Sequence, residues 1–239
     1  MRHIALVRHA QASFLEADYD KLCANGEEQA RLLGQYWLKR GMTFYSAYSG
    51  PRRRQRGTAA IVAEVYRDAD HHFPEIVAMN EFDEYQAEAV MRTCLPQLVE
   101  VNAGIRELSS AHESSREPGE RRRSFQKLFE KVIGMWATGE VAADGIESWH
   151  EFCLRVERGL EHVMRTTAPA ASVVIFTSAG AIGAAMRQAL HLSVEDSLRV
   201  SWMSRNCSFS DFHASDQSFM VSAFNAHPHL DEDSLLTYW

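Results

Sequence analysis

Residues 4–9 read Ile4-Ala5-Leu6-Val7-Arg8-His9. Four apolar residues are followed at once by a cation and an imidazole. An unbroken apolar run of this length suits a strand buried on both faces of a sheet. In open α/β sheets the ligand site lies beyond the carboxyl ends of the strands. Arg8 and His9 therefore stand where chemistry is expected, and the rest of the chain has to supply the sheet and the partners.

The strands come at intervals. His3 to Val7, Phe44 to Tyr48 and Ser172 to Thr177 read as short buried strands, and Glu75 to Met79 as a fourth. Between them lie helical patterns. Gly26 to Lys39 carries Ala30, Leu32, Leu33, Tyr36 and Trp37 at helical spacing, with Asn25 as the expected cap. Arg52 to Arg67, Ser148 to Arg165 and Ala179 to Leu190 repeat the pattern, and Ser148 with Glu151 forms a capping box. Strands alternating with helices predict a three-layer α/β/α sandwich with a mostly parallel, mixed sheet. Asn206 to His213 and Phe219 to Phe224 suit an antiparallel edge pair. Residues 85–139 are helical throughout and hold charged stretches, which reads as a helical insertion or lid within a single domain spanning 1–239.

Bulk properties narrow the function classes. The chain has 239 residues, 25 Lys and Arg against 32 Asp and Glu, and a net charge of -7. That balance disfavours nucleic-acid binding, which draws on surplus cations. Cys23, Cys94, Cys153 and Cys207 are scattered, with no ligand spacing for zinc. Scattered cysteines, no span-length apolar segment and a first apolar run too short for a signal core predict a cytoplasmic protein with no membrane partner. A homo-oligomer is compatible with the sequence. His71-His72 and His227-Pro228-His229 read as surface loops, and Arg121 to Arg123 as a solvated helix face. Leu128, Val132, Met135 and Trp136 read as a helix-packing stripe.

The predicted strand exits gather one chemistry. "SGPRRRQRGTA", Ser49 to Ala59, puts Arg52, Arg53, Arg54 and Arg56 at a helix start. "NEFDEY" brings Glu81, Asp83 and Glu84, and "TSAG", Thr177 to Gly180, opens a helix. Arginine forks and a helix N-terminus both favour an anion, and a phosphoryl group fits that set best.

These blocks resemble the histidine phosphatase superfamily, also called the phosphoglycerate mutase-like fold. "LVRHAQ" resembles its strand followed by Arg-His-Gly. "SGPRRRQRGTA" resembles its Ser-x-Pro-x-x-Arg-x-x-x-Thr-Ala block, and "MNEF" its Leu-x-Glu block. "VVIFTSAGAI" lies where the family has a strand ending in His-Gly, and "RNCSFSDF" resembles its closing strand. The resemblance implies a metal-independent, cofactor-free phosphatase acting on a small phosphomonoester. His9 would be the nucleophile. Arg8 and Arg54 would bind phosphate, Ser178 would contact it, and Glu81 would be the acid, with Glu84 as the second candidate. Three positions depart from the pattern: Ala10 replaces a glycine, Leu15 stands at the place of a phosphate-contacting asparagine, and Ser178 at that of the second histidine. The alternative is a catalytically degenerate member that binds a phosphorylated ligand or has a regulatory role.

Overall fold

The structure is a computed structural model and describes residues 1–13 and 20–238. Leu15 lies outside the described residues. Among the described residues six strands form one mixed sheet in the order β3-β2-β4-β1-β5-β6. They are β1 (Arg2–Arg8), β2 (Ser46–Ser49), β3 (Ile76–Ala78), β4 (Ser172–Thr177), β5 (Phe209–Ser215) and β6 (Ser218–Ala226). The first four are parallel, and the β5–β6 hairpin runs antiparallel at one edge. The chain divides into two compact units, Met1–Glu84 with Leu154–Trp239, and Tyr85–Cys153.

The first unit contains the sheet. β1 and β4 are its central strands, and Ile4, Leu6, Val173 and Ile175 are wholly buried, as an unbroken apolar run requires. Alternate residues face a core on one side. There Val7, Ala47, Val174, Phe176 and Phe209 pack against α1 (Ala24–Lys39) and α2 (Arg53–Asp68). Trp37 of α1 is fully buried edge-on to Phe44, with ring centres 5.0 Å apart. Burying a ring of that size stabilises by about 2–3 kcal/mol. Phe44 is thus a core residue just ahead of β2, which starts two residues later than the apolar pattern predicts.

On the other face α7 (Ala179–Leu190) packs on β1 and against α8 (Val194–Met203). The sequence reading had no helix at α8. Its start is a side-chain cap, Ser193 Oγ accepting from Asp196 N at 3.0 Å. The cap predicted at Asn25 is corrected. Cys23 holds the N-cap position of α1, and Asn25 lies in the first turn, donating through Nδ2 to Gln11 Oε1 and Ser234 O. His229 is also corrected, because it is buried against the rings of Tyr36 and Phe209.

The second unit is helical: α3 (Ala87–Val101), α4 (Ala103–Ser114) and α5 (Pro118–Ala137). Asn102 caps α4 by accepting from Ile105 N at 3.1 Å, and Pro118 opens α5, where a missing N–H costs nothing. Leu128, Val132, Met135 and Trp136 are buried, and Arg121 to Arg123 are exposed. Tyr85, Trp136, Trp149 and Phe152 form an aromatic cluster with ring centres 5.2–6.1 Å apart. Trp149 begins α6 (Trp149–Thr166), and the predicted Ser148–Glu151 capping box is present there.

Candidate active site

Parallel strands deliver their carboxyl ends to one edge. Register pairs Arg8 of β1 with Thr177 of β4, and Ser49 of β2 with both Phe176 and Ala78. Main-chain bonds continue past these ends. His9 N donates to Thr177 O at 2.8 Å, Gly50 N to Phe176 O at 2.9 Å, and Met79 N to Ser49 O at 2.8 Å. The carbonyl of His9 accepts from Cys207 N and from Asn206 Nδ2. His9 is therefore fixed by its backbone on both sides.

The imidazole is fixed as well. His9 is 6% exposed, and its Nδ1 lies 2.9 Å from the carbonyl oxygen of Ala10, an atom that can only accept. The ring proton therefore sits on Nδ1 and the lone pair on Nε2. Arg54 Nε donates to that Nε2 at 3.0 Å. Burial, then the charges of Arg54 and Arg8, hold the imidazole well below the usual histidine pKa range. The result is a neutral imidazole with its lone-pair nitrogen among arginines.

Each arginine is positioned by acceptors. Arg54, 4% exposed, donates through Nη1 to Asp20 Oδ1 at 2.8 Å. Asp20 also accepts from Arg53 N at 2.8 Å, so its carboxylate ties the start of α2 to the loop after β1. That loop is closed by the Ala12–Leu22 bridge. Arg8 donates from its two Nη atoms to Ser204 O and Tyr238 O. Arg52 is ion-paired with Asp83 and donates to Glu84 O at 3.2 Å. Ala10 places its methyl in the core with α1 and α2, while its N–H donates to Thr58 Oγ1 at 2.9 Å. Alanine at this position adds a core contact.

Glu81 and Glu84, the two acid candidates after β3, make different contacts. Glu81 lies on a short 3-10 turn, Asn80–Phe82, with its Cβ against Gly159 of α6. Arg155 of α6 clasps this turn by donating to the carbonyls of Asn80, Glu81 and Asp83 at 2.8–3.3 Å. Glu84 reaches the start of α7, where its Oε2 accepts from Gly180 N at 3.1 Å. Ser178, fully buried, holds the N-cap position of α7 without making a side-chain cap bond. Its Oγ accepts from Gln55 Nε2 at 2.8 Å instead.

The structure thus joins His9 directly to Arg54, sets Arg8 beside them, and connects Ser178 to the same first turn of α2 through Gln55. Glu84 is bonded to Gly180 N, two residues past Ser178, and the Cβ of Glu81 lies against Gly159 of α6. Sequence reading missed Asp20, Gln55 and Arg155. Gln55 lay inside the quoted arginine block, but its partners are distant in sequence. Among the described residues no group of three or more His, Cys, Asp or Glu side chains could hold a metal ion. Nor is any described helix long and apolar enough to cross a membrane.

A sequence model of the histidine phosphatase superfamily (branch 1) matches residues 4–90 and 86–227. The chain belongs to that superfamily. Solved structures agree on the fold. A mycobacterial glucosyl-3-phosphoglycerate phosphatase gives a TM-score of 0.63 at 17% identity, over 95% of this chain and 99% of its own. A variant of phosphoserine phosphatase from Entamoeba histolytica, in complex with phosphoserine, gives 0.60 at 14%, over 96% and 100%. Phosphoglycerate mutase from Bacillus anthracis gives 0.60 at 15%, over 95% and 94%. Among curated proteins no sequence matches.

Proposed function

We propose that this histidine phosphatase superfamily member hydrolyses a small phosphomonoester through a phosphohistidine on His9. The observation that carries this reading is the buried, neutral imidazole, whose Nδ1 proton is held by Ala10 O and whose Nε2 meets Arg54. A histidine serving packing alone has no need to turn its Nε2 lone pair to a guanidinium.

The residues support a two-step transfer. In the first step the Nε2 lone pair of His9 attacks phosphorus. The N–P bond forms, the P–O bond to the alcohol breaks, and the departing alkoxide takes a proton from a carboxyl. Of the two candidates we favour Glu84, because its carboxyl accepts from Gly180 N, two residues past Ser178 at the start of α7. In the second step that carboxylate takes a proton from water. The hydroxide attacks phosphorus, and the N–P electron pair returns to Nε2, releasing inorganic phosphate. Arg8 and Arg54 balance the charge on the equatorial oxygens, which is the work a metal ion performs in other phosphoryl-transfer sites.

Phosphate release from p-nitrophenyl phosphate and a panel of small phosphomonoesters, wild type beside His9→Ala, tests the proposal. Turnover abolished by the substitution is the expected outcome. A second reading, a member that binds a phosphorylated ligand without turnover, draws on the ion pairs of Arg54 with Asp20 and Arg52 with Asp83. Wild type that binds orthovanadate but releases no phosphate from any of the esters would select it.

A further inference from the structure

Gln55 is a wholly buried primary amide in the first turn of α2. Such a group is costly to bury unless its donors and acceptor are matched. They are. Oε1 accepts from Arg52 N at 3.0 Å, and Nε2 donates to Phe82 O at 3.1 Å and to Ser178 Oγ at 2.8 Å. The three partners sit at the start of α2, on the turn leading to Glu84, and at the entrance to α7.

This network fixes more than packing. An N–H can only donate and a carbonyl oxygen can only accept, so Arg52 and Phe82 set the orientation of the amide. Its NH2 group faces Ser178 and has no acceptor capacity. Ser178 Oγ must therefore accept from Gln55, and its own hydrogen must point elsewhere. The hydroxyl does not cap α7, and the Gly180 N–H is taken by Glu84. Phe82 O is engaged twice, by Gln55 Nε2 and by Thr177 Oγ1 at 2.8 Å. Ser178 follows Thr177, whose carbonyl holds His9 N, and Gln55 follows Arg54, which holds His9 Nε2. Gly50 leaves room for this arrangement. A Cβ there would stand 2.2 Å from Gln55 Oε1 and 2.5 Å from Phe82 O.

We infer that Gln55 is a positioning residue for phosphoryl transfer: by donating to Ser178 Oγ it turns the serine hydroxyl into a donor aimed at a phosphoryl oxygen on His9. The inference rests on the reading that the site takes a phosphoryl group at His9. It gives Ser178 a defined function as a neutral donor in the wall of the site, set by a side chain that itself touches no substrate.

A double-mutant cycle tests it. Wild type, Gln55→Met, Ser178→Ala and the double variant are compared by orthovanadate affinity in calorimetry and by kcat and KM on p-nitrophenyl phosphate. His9→Ala is the control, and circular dichroism checks each fold. Ser178→Ala is expected to lose ~100-fold in kcat with a smaller change in KM, the loss typical of one transition-state donor. Gln55→Met is expected to lose a similar factor in the wild-type background and little more once Ser178 is alanine. Equal losses in both backgrounds would reduce Gln55 to a structural tie and overturn the inference. Gln55→Glu keeps the shape and supplies a case that does not rest on the methionine variant folding. Its carboxylate accepts the serine hydrogen, so it should weaken orthovanadate binding at least as much as Ser178→Ala. Unchanged affinity would overturn the inference. Turnover and orthovanadate binding that both ignore His9→Ala would bring down the phosphatase reading itself, and the Gln55 inference with it. A His9-dependent enzyme with an additive cycle would remove only Gln55.

Discussion

Arg54 Nε donates to Nε2 of His9 at 3.0 Å, so the guanidinium both engages the lone pair of the ring and suppresses its protonation. Replacing Arg54 should therefore have two separable effects. Arg54→Met should cut kcat/KM by ~100- to 1,000-fold through lost charge stabilisation. It should also raise the pKa of His9, since burial and then the Arg54 charge are what depress it. Attack requires the neutral ring, and the wild-type ring stays neutral well below pH 6.5. The wild-type rate should show no fall from His9 protonation near that pH. The acid limb of the variant should move upward, as read from a kcat/KM–pH profile.

Glu84, bonded at the start of α7, and Glu81, whose Cβ lies against α6, make opposite predictions. Glu84→Gln should lower kcat on an alkyl phosphate by ~100- to 10,000-fold, the range for loss of a general acid–base group. The first step with p-nitrophenyl phosphate should suffer less, because p-nitrophenolate leaves without a proton. Single-turnover kinetics on both esters would separate that step from hydrolysis of the phosphoenzyme. Glu81→Gln, whose Cβ lies against Gly159, should stay within a few-fold of wild type. The reverse pattern would assign the proton to Glu81.

The edge of the sheet was legible because one local pattern encodes it. An apolar run followed by polar residues marks a strand exit, and β1 and β4 obey that pattern along their length. His9 and Arg54 were legible for the same reason, each lying within a few residues of an exit. Gln55 was not, because its amide meets residues 27 and 123 positions away, and nothing in the arginine run signals a buried polar side chain. His229 misled for a related reason. A His-Pro-His triplet has the composition of a loop, and only tertiary packing places one of its rings against Tyr36 and Phe209. The cap at Asn25 failed because a better use of its amide, bonds to Gln11 and Ser234, arises only in the folded chain.

Gly50 should tolerate no side chain. Its added Cβ would fall 2.2 Å from Gln55 Oε1 and 2.5 Å from a backbone carbonyl oxygen, neither of which is the free end of a flexible chain. Gly50→Ala should destabilise by about 1–3 kcal/mol, the usual cost of overpacking a well-filled site. It should also displace Gln55 from Ser178. Urea unfolding measures the first effect and orthovanadate affinity the second. A stable variant that binds orthovanadate normally would show that the turn after β2 can shift without cost.

Buried His229 makes stability depend on pH. Desolvation, the largest cause, pushes its pKa down to about 4, while the unfolded chain has an ordinary histidine near 6.5. The sign follows from proton counting. Between those values the unfolded chain binds a proton that the native chain refuses, so acid favours unfolding. The contribution is fully present above pH 6.5 and is lost as pH falls toward 4. The lost part amounts to about 3 kcal/mol, from the separation of those two values. His229→Phe keeps an aromatic ring against Tyr36 and Phe209 and removes the titration. Its stability should fall less steeply from pH 6.5 to 4 than that of wild type in urea unfolding. Parallel curves for the two proteins would show that the His229 ring takes up its proton in the folded chain as easily as in the unfolded one.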